Sequence, residues 1–291
     1  MSKPPFLTLP SGARARRLVT ARGAFAVHEC GRPRLGTALL LPGFTGSKED
    51  FVALLGPLAD AGFRVVAVDG RGQYETEGPA DEAAYALPEL ARDALAQAEA
   101  LDAGGVHLLG HSLGGLVARA AVLRDASPFA SLTLLSSGPA AASPLQQERV
   151  RLLQDALRTL SMAEVWERMR ALDPPEAAGA GTPREVTAFL RKRWMATTPA
   201  QLIATGDILL GEPDRVPELA ALPLPRHVVS GARDYAWPVP LLADMARRLG
   251  APHTVIDGAE HSPNAERPQE TAAALAAFWA DVSPRRPAGR R

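Results

Sequence analysis

Short runs of consecutive apolar residues alternate along most of this chain with stretches in which apolar residues recur every three or four positions. The runs Ala38–Leu41, Val65–Val68, Val106–Leu109, Leu132–Leu135, His227–Ser230 and His253–Ile256 are short and apolar nearly throughout, which suits strands buried on both faces of a parallel sheet. Ahead of them, Arg16–Thr20 and Ala24–Glu29 read as a hairpin turning at Arg22-Gly23. Between the runs, Phe51, Leu54, Leu55 and Leu58 form one helical stripe, capped by Ser47 with Asp50 three residues on, and stopped by Gly62. Leu87, Leu90, Ala94, Leu95 and Ala98 form another, ended by Gly104-Gly105. Strand–helix alternation implies right-handed crossovers and an α/β fold: a mostly parallel eight-stranded sheet with helices on both faces.

The alternation fails between about Pro139 and Leu222. That stretch predicts helices at Gln146–Leu160, Met162–Ala171, Pro183–Ala196 and Pro199–Leu210, the last two opened by a proline that follows Thr182 or Thr198. Pro174-Pro175 and residues 177–181 read as loops. The expected organisation is a discontinuous core, residues 1–138 and 221–283, interrupted by a helical cap at 139–220. Residues 284–291, basic and proline-bearing, read as a disordered tail.

Composition narrows the function classes. The chain has 291 residues, 46% of them hydrophobic, and its 32 Lys+Arg balance 32 Asp+Glu. Nothing in that balance predicts binding to nucleic acid or an anionic membrane. Cys30 is the only cysteine, so no intrachain disulfide forms and no cysteine-rich zinc site exists. The first residues contain no apolar signal-peptide core, and no apolar run is long enough to span a bilayer. The expectation is a cytoplasmic protein with no metal and no cofactor.

The chemistry is concentrated at Gly110-His111-Ser112-Leu113-Gly114, which joins an apolar strand directly to a helical pattern. This is the pattern of a nucleophile elbow: a tight turn with a serine at its tip and small residues two positions to either side. A serine hydroxyl needs an adjacent base, and the base needs an orienting acid. Both should lie just past later strand ends, where Asp234 and His261 stand. The order Ser112, Asp234, His261 is that of a triad on this kind of fold. Asp69 and Asp257 are rival acids, but Asp69 reads as a loop tie and Asp257 is too near His261 in sequence. His111 reads as a packing residue directed into the sheet.

These segments resemble the α/β-hydrolase superfamily over roughly residues 16–282. Gly231, Asp234 and Pro238 resemble its G-x-x-D-x-x-x-P segment, and His261, Glu266 and Pro268 its H-x-x-x-x-E-x-P segment. The resemblance implies a Ser-His-Asp hydrolase with an oxyanion hole made by the Leu113 and Phe44 amides. Pro42 stands where the family's H-G-x loop usually has histidine. Trp166, Trp194, Met195 and Trp237 are expected near an acyl pocket. The implied substrate is a small uncharged carboxylic ester, cleaved through an acyl-enzyme. The same residues leave open C–C hydrolysis, thioester hydrolysis, perhydrolysis, and a low-turnover ligand-binding protein.

Overall fold

The computed structural model describes residues 2–171 and 182–283. The loops expected at Pro174-Pro175 and 177–181, and the tail at 284–291, lie outside the described residues. Eight strands form one sheet: β1 (Arg14–Thr20), β2 (Gly23–Cys30), β3 (Gly36–Leu41), β4 (Phe63–Val68), β5 (Val106–His111), β6 (Phe129–Leu135), β7 (Arg226–Gly231) and β8 (His253–Ile256). Their spatial order is β1-β2-β4-β3-β5-β6-β7-β8. The hairpin β1–β2 and the β2–β4 pair are antiparallel, and the remaining neighbours run parallel.

The continuous apolar strands follow from two covered faces. Leu39, Leu41, Val66, Val68, Leu108 and Val228 point to one face. There they meet α2 (Leu87–Ala100), α3 (Leu113–Arg124) and α9 (Val239–Leu249). Leu40, Val65, Ala67, Leu109 and Val229 point to the other, against α1 (Val52–Asp60) and α11 (Pro268–Val282). Alternate residues of the central strands therefore enter different cores, whereas the edge strands β1 and β8 expose Val19 and Val255. The turn after Ser47 begins as a 3-10 segment, Lys48–Phe51, before α1.

Between β6 and β7 lie α4 (Pro144–Thr159), α5 (Met162–Ala171), α6 (Arg184–Ala196), α7 (Pro199–Gly211) and α8 (Val216–Ala220). The short α8 was not legible in the sequence pattern. Val165, Trp166, Phe189, Leu190 and Trp194 form a hydrophobic cluster of this insert's own. Helix α7 belongs to both bodies: Leu202 and Ile203 join that cluster, whereas Ala200, Ile208 and Leu209 join the main core. Helix α4 is shared in the same way, with Val150 in the main core and Leu157 in the insert's cluster, and α8 adds Val216 and Leu219 to the main core, so several helices seat the insert on the sheet layer. No helix among the described residues is long and apolar enough to cross a membrane.

Two histidines within the sheet give a stability prediction. His107 is held between Ser131 Oγ (2.8 Å) and Ser283 Oγ (3.1 Å), stacked on Trp279. His227 reaches Thr254 Oγ1 at 2.8 Å. Burial pushes both down from 6.5 to about 4. Between those values the unfolded chain takes up protons that the folded chain refuses, so stability is present above the unfolded pKa and falls as pH drops. Each histidine contributes a slope of about 1.4 kcal/mol per pH unit in that window. The double variant His107→Gln, His227→Gln is expected to lose stability less steeply than the native chain from pH 6.5 towards 4. Urea denaturation at stepped pH measures the two slopes; parallel slopes would refute the assignment.

Candidate active site

The strand β5 ends at His111, α3 begins at Leu113, and Ser112 alone makes the turn. Its backbone is at φ 54° and ψ −120°, a conformation that L-residues rarely hold. The turn survives because its flanks carry no side chains. A Cβ on Gly110 would stand 2.2 Å from the Gly114 carbonyl oxygen, and one on Gly114 would stand 2.4 Å from that of Leu41. The serine is thereby lifted off the sheet at the start of a helix.

His261 follows β8, on a loop ending in α10 (Pro263–Glu266), and Asp234 follows β7. Parallel pairing of β7 with β8 brings the two loops side by side. His261 Nε2 lies 3.0 Å from Ser112 Oγ. Its Nδ1 lies 2.9 Å from each Asp234 carboxylate oxygen. The Asp234 side chain is fully buried, and its Oδ1 also accepts the Ala236 and Trp237 N–H groups at 2.8 and 3.0 Å. With Nδ1–H donated to the carboxylate, Nε2 presents its lone pair to the serine O–H.

The rival acids are elsewhere. The Asp69 carboxylate accepts the Lys48 N–H (2.7 Å), the Lys48 ammonium (2.9 Å) and the Glu75 N–H (3.2 Å). Burial alone would lower the Lys48 pKa, but Asp69, Glu49 and Glu75 surround the ammonium and raise it. This cluster ties the loops after β3 and β4 together. Asp257 is exposed and accepts the Gly258 N–H.

His111 departs from the expectation that it packs away from the site. Its Nε2–H donates to the His261 carbonyl at 2.8 Å, with the two rings 5.2 Å apart. Burial, helped by neighbouring His261, pushes it down to about 3, so it stays a neutral donor. The residues are 150 positions apart, and no local pattern announces the contact. Glu266 accepts the N–H groups of Glu260 and of Ser262 (3.2 Å), clamping the His261 loop from its other side.

The loop after β3 carries Pro42-Gly43-Phe44. The Gly43 carbonyl accepts the Gln73 side-chain amide and the Gly46 N–H, each at 3.0 Å. Gln73 is itself oriented, because its oxygen accepts the Gly70 N–H at 2.9 Å. A trans peptide sets C=O and N–H on opposite sides, so Gln73 turns the Phe44 N–H away from itself. Neither the Phe44 nor the Leu113 N–H has an acceptor among the described residues. Gln73 was not singled out by sequence reasoning; it enters through a contact across 30 positions.

A cavity of about 660 Å³ opens over Ser112 and His261, within the usual range for small-molecule sites. Phe44, His111, Val150, Leu209 and Trp237 line it. Of the four residues expected at the pocket, only Trp237 lies there, its indole N–H donating to the carbonyls of Ala140 (2.9 Å) and Ala141 (3.1 Å). Trp166 and Trp194 instead fill the insert's own core, and Met195 is exposed. Spacing identifies the helix but not which of its faces looks down at the serine.

Helix α6 is tied to the same loop by a buried ion pair. Arg193 donates to Asp50 Oδ1 at 2.7 Å and to the Ser2 carbonyl at 2.8 Å, with both charged side chains fully buried. Burial raises the Asp50 pKa, and Arg193 opposes it. Removing one member strands the other charge, so Arg193→Met is expected to cost about 3–5 kcal/mol. Thermal denaturation checks this; an unchanged midpoint would show the pair to be dispensable.

Comparison with known proteins identifies the family. Residues 38–274 match the model of the alpha/beta hydrolase family. The chain is 32% identical over 262 residues to a pimeloyl-[acyl-carrier protein] methyl ester esterase of Edwardsiella ictaluri, covering 86% of this chain and 95% of that protein. A local match to a relative in Variovorax paradoxus is 38% identical but spans only 41% of that protein. A hydrolase structure from Pseudomonas aeruginosa PA01 superposes with a TM-score of 0.74 and 25% identity, covering 92% of this chain and 99% of that one. The chain therefore belongs to the alpha/beta hydrolase family.

Proposed function

We propose that the chain is a serine hydrolase that cleaves carboxylic esters through an acyl-enzyme. The observation that carries this reading is the unbroken hydrogen-bonded line from Ser112 through His261 to Asp234 at the floor of a cavity. As Ser112 Oγ attacks the uncharged ester carbonyl, its proton passes to His261 Nε2. Asp234 stabilises the imidazolium. The carbonyl oxygen becomes an oxyanion, which accepts the unpaired Phe44 and Leu113 amides. Collapse breaks the C–O bond, and the leaving alkoxide takes the proton from His261. Water then repeats the sequence on the acyl-enzyme, with His261 again the base. The insert covers the site as a cap that limits access of bulk water.

The similarity to a relative named as a methyl ester esterase supports an ester over the other open chemistries. A fluorophosphonate probe followed by peptide mapping tests the nucleophile, and p-nitrophenyl esters of graded length test the reaction. Labelling at Ser112 with ester turnover is the expected result. Refusal of esters with cleavage of a vinylogous diketone would move the assignment to C–C hydrolysis. Absence of labelling in folded protein would favour a ligand-binding role.

The Gln73 contact makes a graded prediction. Loss of an oxyanion donor typically costs about a hundred- to thousandfold in rate. Gln73→Leu keeps the donor but frees its peptide, so a smaller fall in kcat, about ten- to a hundredfold, is expected with little change in KM. Steady-state kinetics on a p-nitrophenyl ester separates the two constants; a change confined to KM would remove Gln73 from this role.

A further inference from the structure

The charge of the cavity wall is not that of the whole chain. Formal net charge is zero overall, yet among the described residues the lining carries Asp50, Arg149 and Arg168 as its only charged side chains other than histidine. Asp50 is neutralised by Arg193. Arg149 and Arg168 have no carboxylate within ion-pair distance among the described residues. Of the acids near Arg168 in sequence, its neighbour Glu167 is exposed and makes no ion pair with it, and Glu164, one turn earlier, has its carboxylate held by the Ser161 N–H and O–H at 2.8 and 2.7 Å. Among the described residues the lining therefore carries two exposed arginines outside any ion pair, both on the insert, over a serine that would attack a neutral carbonyl.

Their placement is as informative as their sign. Arg149 on α4 lies over the Tyr235 ring, 6.0 Å from its centroid, and that ring is 4.8 Å from the His261 ring. One aromatic ring thus separates the guanidinium from the triad histidine. Gln146, one turn before Arg149, also lines the cavity, and its Oε1 is buried without a partner. Val150, Leu153, Val165 and Leu209 supply the apolar wall. A reactive centre, an apolar wall and a cationic group form the complement of an acyl chain with a charged far end. Guanidinium is suited to that end because its fork matches a planar oxyanion.

We propose that the substrate carries a carboxylate at the far end of its acyl chain, read by Arg149 and Arg168, so that the class is a half-ester of a dicarboxylic acid. This rests on the ester-hydrolase reading and restricts the uncharged-substrate expectation to the reacting carbonyl.

The test compares mono-p-nitrophenyl esters of dicarboxylic acids, from glutarate to sebacate, with the same compounds methylated at the free carboxylate. The expected result is at least a tenfold higher kcat/KM for the anionic member at one chain length. That ratio should fall with added salt and approach one in the double variant Arg149→Gln, Arg168→Gln. A native ratio of one or below at every length, or a ratio unchanged in the double variant, overturns the proposal. Calorimetric titration with the free dicarboxylates keeps the two readings apart. If no ester is turned over, the hydrolase reading fails; binding to the native chain that is lost in the double variant still supports the anion site. No binding, or binding retained by the variant, overturns it.

Discussion

Ser112→Ala is expected to abolish ester hydrolysis, with kcat reduced on the order of ten-thousandfold to a millionfold, because the triad acts as a unit and the remaining members have no alcohol to deprotonate. The fold should persist. Ser112 Oγ has a hydrogen bond to His261 Nε2, and alanine keeps the same Cβ in the same strained turn. Thermal denaturation should therefore give a midpoint close to the native one, and fluorophosphonate labelling should vanish. Activity within tenfold of native would remove Ser112 from the mechanism, and with it the whole catalytic assignment.

Asp234→Asn should be nearly as damaging, about ten-thousandfold in kcat, for a reason visible in the bonding of the carboxylate. The Ala236 and Trp237 amides both donate to Oδ1, so an asparagine there must keep its carbonyl oxygen towards them. Its NH2 group then faces His261 Nδ1 in place of Oδ2. A donor at that point favours Nδ1 as acceptor with the ring proton on Nε2, which cannot take the proton of Ser112; even where Nδ1–H keeps its contact with Oδ1, the negative charge that stabilises the imidazolium is gone. Substrate contacts are untouched, so the loss should fall on kcat rather than KM. Asp69→Asn is the control. It breaks the Lys48 cluster and should lower stability, while kcat changes much less. If Asp69→Asn instead eliminates turnover and Asp234→Asn does not, the acid has been misassigned.

Much of this molecule was legible in the sequence, and the reason is local. The runs at Leu39–Leu41 and Val65–Val68 are apolar at every position because successive side chains enter opposite cores. Helix ends followed from residues with one backbone preference: Gly62 stands just past α1 at φ 100°, and Pro199 after Thr198 opens α7. What the pattern missed was the face of each insert helix. Trp166 and Trp194 look like pocket residues by type, but packing among α5, α6 and α7 turned them inward.

The sequence by itself determined the eight strands, their alternation with helices, the helical interruption and the chain order of Ser112, Asp234 and His261. Each of these is written within windows of a few residues, by periodicity and turn chemistry. Only the tertiary structure decided that His111 holds the His261 carbonyl, that Gln73 orients the Phe44 peptide, and that Arg193 ties the insert to Asp50. It also decided that Arg149 and Arg168 share one cavity wall in a chain of zero net charge. Such contacts join residues far apart in the chain. They arise from how layers settle on one another, which no local window encodes.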